Sequence, residues 1–163
     1  MNAVVAVLIL TSTLSSLAQQ KQVDLKLLRE YLDKMQLKYV AHPQNAATLV
    51  VPITENRNAE RVDLYVEIRE DKTLVLSGYP RLRGKYFNVS RAIDRERLLQ
   101  KLLETNFRSF ATFFVDEQGD IGVRFTFTTE DGLGYDGFSI SVSEVSRIAD
   151  EYTKVLDDLI KKE

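Results

Sequence analysis

The chain has 163 residues, a net charge of −2, one histidine and no cysteine. Its length fits one domain, and the missing cysteines exclude disulfides, thiolate nucleophiles and cysteine metal sites. The lone His42 excludes a histidine-rich metal centre, and so small a net charge gives no electrostatic case for nucleic acid or a membrane surface.

Hydrophobic residues make up 44% and charged residues 28% of the chain, as in an ordinary globular protein. A chain this long buries roughly two-thirds of its unfolded surface, enough for a core without covalent help. The charge is unevenly placed. Basic side chains outnumber acidic ones between 81 and 108, and acidic ones dominate from 109 onward. Two solvated faces explain this, or a polar surface that meets a charged partner.

Residues 1–20 contain no charged side chain. The apolar run Ala3 to Leu10 is followed by a Ser/Thr stretch and by Ser16-Leu17-Ala18, small residues three and one positions before a cut. This is the layout of a secretory signal peptide, although no Lys or Arg precedes the run. The expectation is a signal peptide over 1–18, a single domain over 19–163, and an exported protein, periplasmic or extracellular. The run is too short to span a bilayer, which takes about 20 residues, so no stable membrane span follows cleavage. The alternatives are a buried N-terminal helix or strand of a cytoplasmic protein and an uncleaved anchor.

Val23 to Tyr39 reads as a helix, with Leu25, Leu28, Leu32, Met35 and Tyr39 at helical spacing and Asp24 as its cap. His42 and Pro43 lie in the connector that stops it, and no second ligand stands near the histidine. Three strands follow. Ala47 to Ile53 is apolar on both sides, with Pro52 suggesting an edge or bulge. Val62, Leu64, Val66 and Ile68 alternate with Asp63, Tyr65, Glu67 and Arg69. Thr73 to Tyr79 carries Leu74, Val75 and Leu76, and the stretch from Tyr79 to Arg91 reads as a loop of basic residues among aromatics. Arg81, Arg83, Lys85 and Tyr86 there, with Arg124 further on, are the candidate partner-binding residues. Such a loop can take an anion or a carboxylate-bearing peptide, and Gly84 alone makes no phosphate cradle. Its other reading is a solvated connector packed by Tyr86 and Phe87. Asn88-Val89-Ser90 is formally a glycosylation acceptor.

Asp94 to Thr105 reads as a second helix, with Ile93, Leu98, Leu99, Leu102 and Leu103 on its buried stripe. The period then switches to two. Phe110 to Val115 and Ile121 to Thr128 form a hairpin around Asp116-Glu117-Gln118-Gly119-Asp120, where Gly119 supplies positive φ. Ile121, Val123, Phe125 and Phe127 face the core. Tyr65, Arg69, Arg124 and Thr126 face water or a partner. The acidic connector 131–137 lacks the spacing of a calcium loop. Ser141-Val142-Ser143-Glu144 matches a capping box and predicts a last helix to about Ile160.

The fold class expected is α+β, an antiparallel five-stranded sheet in the order α-β-β-β-α-β-β-α. Leu102-Leu103-Glu104-Thr105-Asn106-Phe107, Phe113-Phe114-Val115-Asp116, Gly119-Asp120-Ile121-Gly122-Val123, and Ala149-Asp150-Glu151-Tyr152 with Leu156 resemble the YbjN and type III secretion chaperone-like superfamily. The resemblance covers nearly all of 19–163 and rests on structural motifs. It implies a non-enzymatic protein, a homodimer through the second helix and the next strand, and protein or extended peptide as partner. Secretion chaperones work in the cytoplasm, whereas the signal-peptide layout points to export.

The functional expectation is a chaperone- or adaptor-like binding module of the cell envelope, without cofactor or metal. A small-ligand or lipid carrier of the periplasm is the alternative, using space lined by Phe110, Phe113, Phe114, Phe125, Phe127 and Phe138. An enzyme is not expected. Asp116 and Asp120 could do acid–base work, yet no triad order, metal spacing or nucleotide loop accompanies them.

Overall fold

The computed structural model describes residues 23–106 and 110–161. The expected signal peptide, and Phe107 of the family-like stretch, lie outside the described residues. Among the described residues, three α-helices, α1 (Leu25–Lys34), α2 (Arg95–Asn106) and α3 (Tyr135–Leu159), and a 3-10 turn at Val89–Arg91 accompany seven strands. These are β1 (Val40–Ala41), β2 (Thr48–Ile53), β3 (Arg61–Ile68), β4 (Thr73–Leu82), β5 (Lys85–Tyr86), β6 (Thr112–Val115) and β7 (Ile121–Thr128). The order across the sheet is β1-β2-β3-β4-β7-β6, with β5 paired to β4. Every pairing is antiparallel.

The α+β class and antiparallel sheet agree with expectation, but the sheet has seven strands and not five. The two additions, β1 and β5, are two residues each, too short to leave an alternation. The basic stretch is therefore a hairpin and not a loop. β4 runs on to Leu82, and Leu82 pairs with Lys85 across Arg83-Gly84. Both turn residues have positive φ, 54° and 73°, as a type I′ turn requires. Arginine is an unusual occupant of the first position, so the turn carried no sequence signal.

The helix limits also move. Asp24 caps α1 as expected, its Oδ1 accepting from the Leu27 amide at 2.8 Å. The helix ends at Lys34 because Gln36 takes φ 59° and the Leu37 amide donates to the Leu32 carbonyl at 3.0 Å. That is a Schellman ending made without glycine. Asp94 caps α2, accepting from the Arg97 amide at 3.0 Å. The α3 helix begins after Gly134, six residues before the capping-box match. Ser141 lies inside the helix and its hydroxyl donates to the Gly137 carbonyl at 2.8 Å, so it caps nothing.

One apolar cluster holds the layers together. Alternate residues of the central strands, among them Val62, Leu64, Leu74, Leu76, Ile121 and Val123, meet Leu28 and Leu32 of α1, Leu98 of α2, and Phe138, Val145 and Leu156 of α3. Gly78 lets α3 approach β4 closely, since a Cβ there would lie 2.9 Å from Val145 Cγ1. The aromatic set divides. Phe113 and Phe138 are buried, Phe125 and Phe127 pack at the edge of the core, and Phe114 lies on the opposite sheet face. Phe110 is 96% exposed, against the expectation of a core position. On α2 only Leu98 and Leu102 are buried, while Leu99 and Leu103, and Ile93 just before the helix, are exposed.

Among the described residues, no helix is long and apolar enough to cross a membrane.

Candidate functional site

All three helices join the cluster on one sheet face. The other face carries the alternate residues, and strand register lines them up. Val50 pairs with Tyr65, Tyr65 with Ser77, Ser77 with Arg124, and Arg124 with Thr112. Asp63 pairs with Tyr79 in a parallel row. A concavity of about 370 Å³ opens on this face. Tyr65, Ser77, Tyr79 and Arg124 form its floor. His42 and Asn45 stand on the β1–β2 side, and Tyr86, Asp116 and Asp120 on the far side.

A tyrosine ladder shapes the floor. Tyr65 and Tyr79 meet edge to face at 5.4 Å between centroids. Tyr79 in turn contacts Tyr86 at 5.8 Å and Phe114 at 5.5 Å. Such tilted contacts are the favoured aromatic geometry. His42 adjoins Tyr65 at 5.8 Å, and its Nδ1 accepts from the Gln44 amide at 3.2 Å. The Arg124 guanidinium lies 3.9 Å over the Phe114 ring, and its Nε donates to Ser77 Oγ at 3.3 Å. Burial, then the Asp116 carboxylate, pushes the Tyr79 phenol well above its usual pKa.

Asp63 is the buried charge beside this site, 2% exposed. Arg61 grips it, with Nε 2.7 Å from Oδ1 and Nη2 donating to Oδ2 at 3.1 Å. Arg81 Nη1 stands 3.6 Å from Oδ2, and the Tyr86 hydroxyl donates to Oδ2 at 2.5 Å. Burial and the hydrogen bond to Asp63 raise the Tyr86 phenol strongly. The carboxylate is thus paired and hydrogen-bonded, as a buried charge must be.

The five sequence-predicted site residues divide between two places. Tyr86 and Arg124 line the concavity. Arg81 belongs to the same face but spends its charge on Asp63 and the Gly84 carbonyl, with its guanidinium 5.0 Å from the Tyr86 ring centre. Arg83 and Lys85 lie at the hairpin tip, lining a smaller depression of about 80 Å³ against α3 that Tyr86 also borders. There Arg83 makes a two-pronged pair with Asp157 at 2.7 and 3.2 Å.

The acidic turn is a structural device with one side toward the concavity. Asp116 Oδ1 accepts from the Gln118 and Asp120 amides at 3.0 and 2.8 Å. Asp120 Oδ1 accepts from Asn88 Nδ2 at 2.9 Å. Asn88 also donates to the Gln118 carbonyl at 2.8 Å, so its amide is committed to the turn. Gly119 takes φ 84°, as expected. Among the described residues, no group of three or more His, Asp or Glu is placed to hold a metal.

Sequence reasoning missed Glu67, Ser77 and Tyr79 as site residues. The alternation of β4 put Val75, Ser77, Tyr79 and Arg81 on one face, but only the order β3-β4-β7 brings Ser77 to Arg124. Of the aromatics named for a carrier, Phe110 and Phe125 meet at a second surface. An apolar groove of about 480 Å³ runs between α3 and the β6–β7 hairpin, lined by Phe110, Phe125, Ile140, Val145 and Ile148.

No family model matches the sequence. No curated protein matches it. Solved structures do. YbjN from E. coli, described as a candidate transcription regulator, aligns with a TM-score of 0.60 at 19% identity, over 88% of this chain and 99% of that one. A chain of the HopA1–SchA chaperone–effector complex aligns at 0.53 and 13% identity, over 82% and 91%. A chain of the ExsC–ExsE complex aligns at 0.52 and 13%, over 82% and 97%. By these alignments the chain has a YbjN-like, type III secretion chaperone-like fold.

Proposed function

We propose that this chain is a non-enzymatic protein-binding module, chaperone- or adaptor-like, that works in the cell envelope after export and cleavage near Ala18. The observation that carries the reading is the sheet face opposite the helices, which holds a formed aromatic and polar concavity with no element packed over it among the described residues. Two neighbours of similar fold were solved as complexes, one of them a chaperone with its effector. The envelope location is supported by the uncharged, apolar N-terminal stretch and its small-residue cut site. Self-association as a homodimer is supported by the apolar side chains left exposed on and after α2, Leu99, Leu103 and Phe110.

The mature chain, immobilised and exposed to an envelope extract of its own host, retains a defined protein that a Tyr65→Ala variant loses. Retention of nothing by either form overturns the reading. The intact mass of protein purified from that host gives the mature N-terminus, and a start at Met1 removes the export part.

A carrier of small apolar ligands or lipids is the second reading, favoured by the groove between α3 and the β6–β7 hairpin. Native mass spectrometry of the purified protein tests it through a co-purifying ligand mass.

A further inference from the structure

We infer that the concavity on the open sheet face receives a cationic side chain, a lysine or arginine presented by an extended segment of the partner. The inference rests on the protein-binding reading above and names the chemistry of that same site. The basic stretch of the sequence suggests an anionic partner, but the fold directs its charge elsewhere. Arg81 and Arg61 face Asp63, Arg83 faces Asp157, and Arg91 donates to the Tyr86 carbonyl. What remains around the concavity is acidic. Glu67, Asp116 and Asp120 line it, and among the described residues Arg124 is the one Lys or Arg that does. That cation is already held over the Phe114 ring and against Ser77. Arg69 approaches Glu67 at 3.5 Å but does not line the concavity.

Three features fit an ammonium or guanidinium group. The carboxylates supply the opposite charge, and the turn fixes two of them in place. Tyr65, Tyr79 and Tyr86 supply ring faces, which attract cations, and an apolar wall for the side-chain stem. The volume, about 370 Å³, is at the small end for a ligand pocket, enough for one long side chain with its flanking backbone. An anionic group would meet three carboxylates and only one engaged cation.

The test uses the purified protein with two end-capped peptides of equal length, one alternating Lys and Thr, the other Glu and Thr. Tyrosine ring signals are followed by NMR as each is titrated. The lysine peptide shifts Tyr65 and Tyr79, and its affinity falls about tenfold between 50 and 500 mM salt, because exposed charge pairs are screened. Glu67→Gln weakens it several-fold. Arg124→Gln, which removes the competing cation, strengthens it. Glu67 is partly exposed and stands outside the apolar cluster, and an unchanged urea midpoint for its variant separates an effect on binding from one on folding. Binding of the glutamate peptide with loss in Arg124→Gln overturns the inference. A host partner retained equally by wild type and Glu67→Gln, with unmoved tyrosine signals, overturns it while leaving the binding-module reading intact. No peptide bound and no host partner retained removes both.

Discussion

Phe114 lies directly across the β6–β7 ladder from Gly122, and its ring fills the space a side chain would need. A Cβ on Gly122 would come within 2.7 Å of Phe114 Cε1 and 3.1 Å of Tyr79 Cε1. The glycine is therefore what allows two aromatic rings to lie over β7, and the Phe114 ring is what Arg124 rests on. Gly122→Ala forces the rings apart. The expected cost is about 1–3 kcal/mol of stability, typical of overpacking, read from the urea midpoint at unchanged slope. The Tyr79 ring signals shift with it. A variant as stable as wild type with unmoved Tyr79 signals contradicts this packing.

The contacts of Asp63 rank the basic hairpin residues by what they hold up. Tyr86→Phe removes a hydroxyl that donates to a buried carboxylate, expected to cost about 2 kcal/mol. Arg81→Ala removes the 3.6 Å contact to Asp63 with the bond to the Gly84 carbonyl and the Tyr86 ring contact, expected to cost about 1 kcal/mol, and Arg83→Ala removes an exposed pair, expected to cost under about 1 kcal/mol. Chemical denaturation of the three variants side by side checks the order. Equal losses contradict it.

Asp150 belongs to the family-like stretch of α3, and its role is structural. Oδ1 accepts from the Asn58 and Ala59 amides at 2.8 Å each, and Oδ2 from the Arg57 amide at 3.0 Å. The carboxylate ties the 54–60 connector to the helix. Burial works against its charge, but the amides of Ala59, Asn58 and Arg57 outweigh that and lower its pKa. A carboxyl lowered on folding stabilises the protein above its unfolded pKa, about 3.9, and loses that contribution as pH falls through the folded value. Wild type therefore loses stability below about pH 4, whereas Asp150→Asn is less stable at neutral pH and shows a smaller fall in acid. Parallel acid-unfolding curves for the two proteins contradict the tie.

Leu103 and Phe110 are exposed, at 68% and 96%. Leu103→Ser/Phe110→Ser leaves monomer folding nearly unchanged, within about 0.5 kcal/mol per site, yet lowers the mass seen by light scattering if the dimer uses this surface. An unchanged dimer mass moves the interface elsewhere, and monomer alone in wild type removes the dimer.

Legibility in the sequence followed the length of each signal. The alternation of Val62, Leu64 and Val66, and that of Ile121, Val123 and Phe125, assigned faces that the structure keeps. The helical spacing from Val142 to Leu159 marked the buried side of α3, with Tyr152 and Val155 at its margin. Endings were harder. Gln36 and Arg83 take positive φ without being glycine, so the end of α1 and the β4–β5 turn left no mark. The site was least legible, because Tyr65, Ser77 and Arg124 lie far apart in sequence and meet only through pairing of three strands. Basic composition suggested an anionic partner, while in the fold Arg81 faces Asp63 and Arg83 pairs with Asp157.

The central claim is that the uncovered sheet face is where a protein partner sits. Site-specific photo-crosslinking in the native host tests this most directly, with a benzophenone amino acid at Tyr65 and, as control, at the exposed Glu151 of α3. The account predicts a discrete protein adduct from position 65 that is absent from position 151. No adduct from position 65, with adducts arising only from the helical side, would contradict it.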